Sequence, residues 1–369
     1  MSNWYPLNDP TALDSPALLV YPERAAANID RMIAVAGDIG RLRPHVKTHK
    51  AAPIVAMHLA RGITKFKCST IAEADMLAQA GAREILLAYQ PVGPKLGRLV
   101  RLAADYPEID FGSLVDHEAM LQSISAAAQA AKVTLRIWVD LNNGMNRTGI
   151  TPGAQAQSLY EHIAGLPGVE AGGLHAYDGH VRQSAFDVRK GGADSDFEVV
   201  QSLRDRLEAN GHPVPTLIAG GTPTFPVHAL RAGTELSPGT YVYSDAGYGT
   251  TFPDLPFEPA ALVMTRVISK PGGSLVTVDL GHKAIASENP IDKRVRFLNA
   301  EVTRFVSQSE EHLVLEVPNW DTVTVGDVWY GIPWHICPTV ALYQEAQTVV
   351  RGELDELWEL AARGRKIRY

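Results

Sequence analysis

A lysine among cations, an arginine in a turn of small residues, two glycine-containing loops and a His-x-Cys pair are the parts of this sequence able to do chemistry. The lysine is Lys47, in the run Arg43-Pro44-His45-Val46-Lys47-Thr48-His49-Lys50. An amine partly withdrawn from water beside other cations loses basicity, and its neutral form attacks aldehydes. His45, His49 and Lys50 are such neighbours, although a solvated basic loop has the same composition. The arginine is Arg147, between Asp140 and Gly149 in a stretch rich in Asn and Gly. From there a guanidinium can reach a ring nitrogen or a carboxylate. Gly220-Gly221-Thr222 and Ser237-Pro238-Gly239-Thr240 are small and polar. Successive glycines followed by a hydroxyl residue form a nest of backbone N–H groups suited to phosphate, and the same residues also make plain turns. His175-Ala176-Tyr177-Asp178-Gly179-His180 adds imidazoles, a phenol and a carboxylate. Finally, His335 and Cys337 stand two apart in Trp334-His335-Ile336-Cys337-Pro338. In an extended segment such residues point the same way and could clamp one metal ion, with zinc or a similar transition metal favoured by imidazole plus thiolate. A buried cysteine beside a hydrogen-bonded histidine fits the same spacing.

The elements that must position these groups follow a regular march. β-rich runs at Arg41–Lys47, Lys65–Ser69, Glu84–Gln90, Asp110–Asp116, Thr134–Leu141, Gly172–Tyr177, Thr216–Gly221 and Glu235–Tyr243 are separated by alanine-rich helical stretches such as Ala51–Arg61, Ile71–Ala80 and His117–Ala131. Strands alternating with helices imply a parallel sheet with helices outside, and eight units are the number that closes a (β/α)8 barrel. An open doubly wound sheet has the same periodicity. In a barrel the carboxyl ends of the strands carry the chemistry, and the loops after the seventh and eighth strands commonly hold phosphate. The polar runs above fall at those ends. After Asp245 helical periodicity gives way to strand-like runs at Ala261–Ser269, Ser274–Leu280, Val302–Ser307 and His312–Val317, which read as a second, all-β domain. The strand-like Pro16–Tyr21 could join it. The expected division is a barrel over 24–250 and a β domain of 1–23 plus 251–369.

Bulk properties narrow the class. The chain has 369 residues, 46% of them apolar and 20% charged, enough for a large domain with a smaller one. A net charge of -7 argues against a nucleic-acid partner. Two cysteines, Cys68 and Cys337, suit a reducing compartment rather than a disulfide framework. The opening ten residues lack the pattern of a signal peptide, and no apolar run approaches the ~20 residues of a membrane span, so a cytoplasmic location without membrane contact is expected. Gly281-His282-Lys283 with Glu288 reads as a surface loop, and Arg363, Arg365, Lys366 and Arg368 as a solvated tail.

The run from Arg43 to Lys50 resembles the cofactor-lysine motif of the D-threonine aldolase and D-serine dehydratase family, pyridoxal-phosphate enzymes related to the alanine racemase barrel. The resemblance continues through Val92-Gly93-Pro94-Lys95, Arg147-Thr148-Gly149, Gly220-Gly221-Thr222, Pro238-Gly239-Thr240-Tyr241, His335-Ile336-Cys337-Pro338 and Ala362-Arg363-Gly364, essentially the whole chain. It implies roles position by position. Lys47 would form the internal Schiff base with pyridoxal 5'-phosphate, Arg147 would sit against the pyridine nitrogen, and Tyr177 would lie near ring and substrate. Gly220, Gly221, Thr222, Gly239 and Thr240 would hold the phosphate. His335 and Cys337 would bind a divalent metal, zinc or else manganese or magnesium. A homodimer is implied by the same resemblance.

Both branches of that family act on β-hydroxy D-amino acids. The aldolase cleaves Cα–Cβ to give glycine and an aldehyde, with a metal-bound hydroxide or a histidine, His180, expected as the base. The dehydratase gives a keto acid and ammonia, with Lys47 removing the Cα proton. The His335-x-Cys337 pair is the dehydratase form, where the aldolases have His-x-Asp, and Asp178 stands where they have histidine. Cys337-Pro338-Thr339 and the Ala-Arg-Gly ending lean towards the aldolases, the reading preferred here. An amino-acid racemase, with Tyr330 as second base, and a non-catalytic cofactor-binding protein are the alternatives.

Overall fold

The computed structural model describes residues 4–365. Lys366 and Arg368 of the basic tail therefore lie outside the described residues. A first strand, β1 (Ala17–Val20), leads into helix α1 (Pro22–Ala36). Seven parallel strands follow: β2 (Lys65–Cys68), β3 (Glu84–Leu87), β4 (Asp110–Val115), β5 (Leu135–Leu141), β6 (Val169–Ala176), β7 (Thr216–Ala219) and β8 (Thr234–Leu236). Each pairs with its neighbours in chain order. Helices α2 (Ala52–Leu59) to α7 (Phe186–Ala209) and the short α8 (Phe225–Ala229) fill the connections.

Residues 42–46 take the eighth place. Leu42 bridges Leu236 and His45 bridges Lys67, both in parallel sense. The Arg43 N–H donates to the Leu236 carbonyl, the Val46 N–H to the Lys67 carbonyl and the Lys67 N–H to the Pro44 carbonyl, each at 2.9 Å. The segment thus meets β8 on one side and β2 on the other, and the ring closes as an alanine racemase-like barrel. It makes bridges and not a regular strand because Pro44 has no N–H to give. The last strand is likewise shorter than its sequence run: β8 stops at Leu236, two residues before Pro238, and Thr240–Val242 turns as a 3-10 helix.

Inside the ring, side chains stack in layers. At the amino ends Arg43 binds Glu235 at 2.7 Å and Glu84 at 2.9 Å, while Lys65 also reaches Glu235. Above them Leu86, Leu114, Trp138 and Ile218 form an apolar layer. The Trp138 ring explains two glycines in neighbouring strands. A Cβ at Gly112 or Gly172 would come within 2.5 or 2.6 Å of it. The indole N–H donates to Thr216 Oγ1 at 2.7 Å, and that hydroxyl donates to the Gly172 carbonyl. The third layer, at the carboxyl ends, is polar and belongs to the site described below.

The chain divides into two compact units. The barrel unit comprises Met32–Lys47 and Ile54–Gly239, together with Arg365. The other holds the stretch ending at Arg31, Thr48–Pro53 and Thr240–Gly364. Its sheet is built from β1, β9 (Ala261–Gly272), β10 (Leu275–Val278), β11 (Val295–Phe297), β12 (Arg304–Gln308), β13 (Leu313–Glu316), β14 (Val328–Pro333), β15 (Glu345–Val350) and β16 (Glu353–Glu359). The order is β12-β13-β10-β9-β1-β15-β16, with β14 pairing both β9 and β11. Strand β1 lies antiparallel to β9 and parallel to β15. Two short helices interrupt the unit, α9 (Ala246–Thr251) and α10 (Ile336–Val340). Tyr330 packs in its core with Leu19, Leu262 and Met264, and its hydroxyl accepts the Leu7 N–H at 3.1 Å. Among the described residues no helix is long and apolar enough to cross a membrane.

Candidate active site

The polar layer at the barrel's carboxyl ends is assembled from next-to-last positions of strands. Lys67 in β2, Asp140 in β5 and His175 in β6 are each 5% exposed or less, and Ser237 lies one residue beyond β8. His175 Nδ1 is 2.7 Å from Asp140 Oδ1, and Lys67 Nζ is 2.9 Å from His175 Nε2 and 3.0 Å from Ser237 Oγ. Burial holds the His175 imidazole below its usual range, reinforced by Lys67 and opposed by Asp140. Burial pushes Asp140 the other way, but the His175 hydrogen bond and charge, with Thr148 and Lys67, hold it below the usual carboxylate range. The pair is a carboxylate with a neutral imidazole. Burial, then the nearby charge of Lys47, brings Lys67 down to about 7, with Arg147 and Arg43 acting in the same direction and Asp140 against it.

Lys47 follows the closing segment directly, in the turn that leaves the ring, with its backbone N–H 3.3 Å from His45 Nδ1. Arg147 stands on the loop after β5, its guanidinium 4.8 Å from the centre of the Tyr177 ring. The Lys67 ammonium position is 5.9 Å from the same ring. Lys47 and Arg147 thus act as neighbouring positive charges on Lys67, with Asp140 as the opposing negative one. Asn143, on the Arg147 loop, has a buried Oδ1 with no partner among the described residues.

The glycine loop after β7 is held from behind. Thr224 Oγ1 donates to Asp178 at 2.6 Å, Asp178 receives His228 Nε2 at 2.7 Å, and Gly221 N–H points to Thr224 Oγ1 at 3.3 Å. Gly220 has φ +76°, and a Cβ there would lie 2.7 Å from the His228 ring. Only glycine adopts that conformation freely. A Cβ at Gly221 would be 3.0 Å from the Tyr177 ring. The Gly239 N–H donates to Thr222 Oγ1 at 3.0 Å, joining the two phosphate-type loops predicted from sequence. His180 is turned to Asp196 on α7, with Nε2 2.8 Å from Oδ2, and no hydrogen bond among the described residues joins it to Lys47.

The second unit carries the His-x-Cys pair, and its backbone differs from the extended segment expected. His335 is extended, with φ -132° and ψ 103°, but it caps α10, so Cys337 sits in the first turn of a helix. The two side chains nevertheless interact, and Cys337 is the leading influence favouring charge on His335. Glu288 Oε1 lies 2.5 Å from His335 Nδ1. Burial opposes charge on His335, but Cys337, Glu288 and Asp245 together raise it to about 9. Thr48 Oγ1 is 3.1 Å and Thr240 Oγ1 3.7 Å from the Cys337 sulfur. Thr240 therefore faces the thiol. Among the described residues no group of three or more His, Cys, Asp or Glu is arranged to hold a metal ion. The donor chemistry still fits a divalent ion in part: an imidazole and a thiol in contact, the imidazole oriented by a carboxylate as metal-bound histidines usually are.

Sequence reasoning passed over Lys67 and set Glu288 aside as a surface loop. Lys67 had a readable signal, because a lysine alternating with Lys65 on a buried parallel strand must point into the ring or out among helices. Glu288 had none, since 47 residues separate it from His335. Tyr330, the residue a racemase reading relied on, is buried in the core of its own unit with its hydroxyl engaged.

The family model for the alanine racemase N-terminal domain matches residues 20–247, and that for a putative serine dehydratase domain matches 260–349. D-threonine aldolase from Arthrobacter sp is 31% identical over 372 residues, covering 96% of this chain and 94% of the relative. 3-Hydroxy-D-aspartate aldolase from Paracoccus denitrificans (strain Pd 1222) is 27% identical, covering 97% and 94%. The crystal structure of D-threonine aldolase from Filomicrobium marinum superposes with a TM-score of 0.88 at 29% identity, covering 96% of this chain and 97% of that one.

Proposed function

We propose a function on one premise: the chain belongs to the D-threonine aldolase and D-serine dehydratase-like family of alanine racemase-type barrel proteins. It is a lyase acting on β-hydroxy D-amino acids, dependent on pyridoxal 5'-phosphate and a divalent metal, and its reaction is the aldolase one, Cα–Cβ cleavage to glycine and an aldehyde. The observation that carries this reading is the cationic barrel mouth, in which the charges of Lys47 and Arg147 bear on the buried Lys67 and are opposed there by Asp140. That surplus suits an anionic cofactor. The barrel domain is placed at 24–250 and the β domain at 1–23 plus 251–369, in a cytoplasmic homodimer.

Bound there, pyridoxal phosphate supplies an electron sink for bonds at Cα, and the divalent ion supplies Lewis acidity at the β-hydroxyl oxygen. Lys47 would carry the cofactor on its amine. Gly220, Gly221, Thr222, Gly239 and Thr240 would offer backbone and hydroxyl donors to its phosphate, Arg147 would approach its ring nitrogen, and Tyr177 would flank ring and substrate. His335 and Cys337 would hold the metal, with Glu288 orienting the imidazole. His180, oriented by Asp196, would accept the β-hydroxyl proton.

The dehydratase is the second reading. It is favoured by the serine dehydratase domain match across 260–349, which contains His335-Ile336-Cys337. Lys47 would then remove the Cα proton as the hydroxyl departs, giving a keto acid and ammonia. Product analysis separates the two. The protein loaded with pyridoxal phosphate and zinc or manganese is given D-threonine, D-serine and 3-hydroxy-D-aspartate, with and without a chelator. Glycine plus an aldehyde, lost on chelation, is the expected result. Ammonia plus a keto acid moves the chain to the dehydratase branch. No product from any of them, despite a borohydride-trapped adduct at Lys47, overturns both.

A further inference from the structure

The barrel mouth holds a buried amine that the reaction described above does not use. Strands β2 and β6 are not neighbours in the ring, so the 2.9 Å contact between Lys67 Nζ and His175 Nε2 crosses the barrel interior. Both residues are next to last in their strands, which places the contact in the top layer, under the mouth.

Hydrogen-bond valence then constrains the amine. Asp140 accepts from His175 Nδ1, so the ring proton sits there and Nε2 is an acceptor. Lys67 must donate to Nε2, and it donates again to Ser237 Oγ. A neutral amine has two N–H groups and one lone pair, and both N–H groups are engaged. An ammonium has three, and one remains. In either state a single position on Nζ is uncommitted among the described residues, and what it can do is gain or lose one proton. The groups facing it are His175 from β6, Asp140 from β5, Ser237 beyond β8, Arg43 from the closing segment, Lys47, Arg147 and the Tyr177 ring. Burial and the neighbouring cations bring the amine down to about 7 against the pull of Asp140, so both its protonated and its neutral form are accessible near pH 7.

We propose that Lys67 is an acid–base residue of the reaction at the barrel mouth, with His175 and Asp140 as its positioning residues. The Nζ lone pair takes one proton from an acidic H–X group of the bound substrate, leaving X⁻, and Lys67 returns that proton to the product side before the next turnover. His175 stays neutral, and Asp140 locks its orientation. The proposal rests on the reading of the mouth as an active site.

The test begins without turnover. In full-length protein carrying lysine labelled with ¹³C at Cε, one lysine signal should titrate with a midpoint near 7. It should be absent from Lys67→Met and from Lys67→Arg, and Asp140→Asn should lower its midpoint, because the carboxylate favours the ammonium form. A Lys67 signal that titrates with the surface lysines above pH 9, or that ignores Asp140→Asn, overturns the proposal. In the loaded enzyme, Lys67→Met should lower kcat about 100-fold with KM little changed. Lys67→Arg should be equally slow, since arginine keeps the charge and cannot release the proton. An arginine variant within about threefold of wild type would show that a fixed cation suffices, and would overturn the proposal. Borohydride trapping of cofactor at Lys47 is read separately. Its failure counts against the proposed function, whatever the Lys67 titration shows.

Discussion

Two ionic layers lie inside the same barrel, and they are built on opposite terms. At the amino ends, Arg43 and Lys65 meet Glu84 and Glu235, two cations with two carboxylates. At the carboxyl ends Lys67 feels the charges of Lys47 and Arg147, with Asp140 as the opposing carboxylate. The apolar layer of Leu86, Leu114, Trp138 and Ile218 stands between. Burying charge without a partner is costly, so the balanced layer is what a ring needs merely to stay closed. The unbalanced one implies a visitor that brings negative charge. Within one molecule, the difference between a structural and a functional cluster is legible as a difference in charge count.

The comparison can be broken at several points. The largest effect should come from Lys47→Ala, which should lower kcat by at least about 10⁴-fold and abolish borohydride trapping, with unfolding in urea scarcely changed. An active Lys47→Ala protein would remove the upper layer's claim to chemistry. Glu235→Gln should do the reverse. It leaves Arg43 and Lys65 short of a carboxylate, so urea unfolding should show a loss of about 3–5 kcal/mol, while kcat of the folded fraction stays within about twofold. A large kcat effect there would merge the two layers into one.

His58, a buried titratable group on α2, supplies a control. Its Nδ1 bonds the Ile54 carbonyl at 2.7 Å, and burial brings it down to about 4. The unfolded chain therefore takes up a proton below about pH 6.5 that the folded chain refuses until about pH 4. Stability should be complete above pH 6.5 and fall through that window, by about 2 kcal/mol at pH 5. His58→Phe should flatten that part of the profile, and an unchanged slope would assign it elsewhere. The smallest effect is expected at Gly220→Ala, where a Cβ at φ +76° meets the His228 ring. About 1–2 kcal/mol of strain should appear chiefly as weaker binding of pyridoxal phosphate, measured by fluorescence titration. Unaltered affinity would release the Gly220 loop from its phosphate role.

Much of this was readable in advance, for physical reasons. Period-2 runs separated by helical stretches specify a parallel ring, and the polar residues at run ends could only fall at its mouth. Pro44 and Pro238 each cost a run its regular ladder, which composition alone does not announce. The strand-like opening segment pairs as β1 in the second sheet, while β11, β14, β15 and β16 lie outside the runs read as strands. Lys67 carries a period-2 signal with Lys65, but only the ring's closure decides that their shared face is interior. The His335–Glu288 contact depends on two loops meeting, and no local pattern encodes that.

The closing segment, finally, gives the ring a seam. Seven of its eight staves are regular strands joined by continuous ladders, whereas residues 42–46 hold on by isolated bridges. Lys47 hangs from the end of that stave, and the glycine loops hang from the ends of the two staves just across the seam. A ligand fastened to Lys47 at one end and to those loops at the other would act as a stitch. Its binding energy would be added to the barrel's weakest join, so the empty protein should open there first and the loaded one should resist.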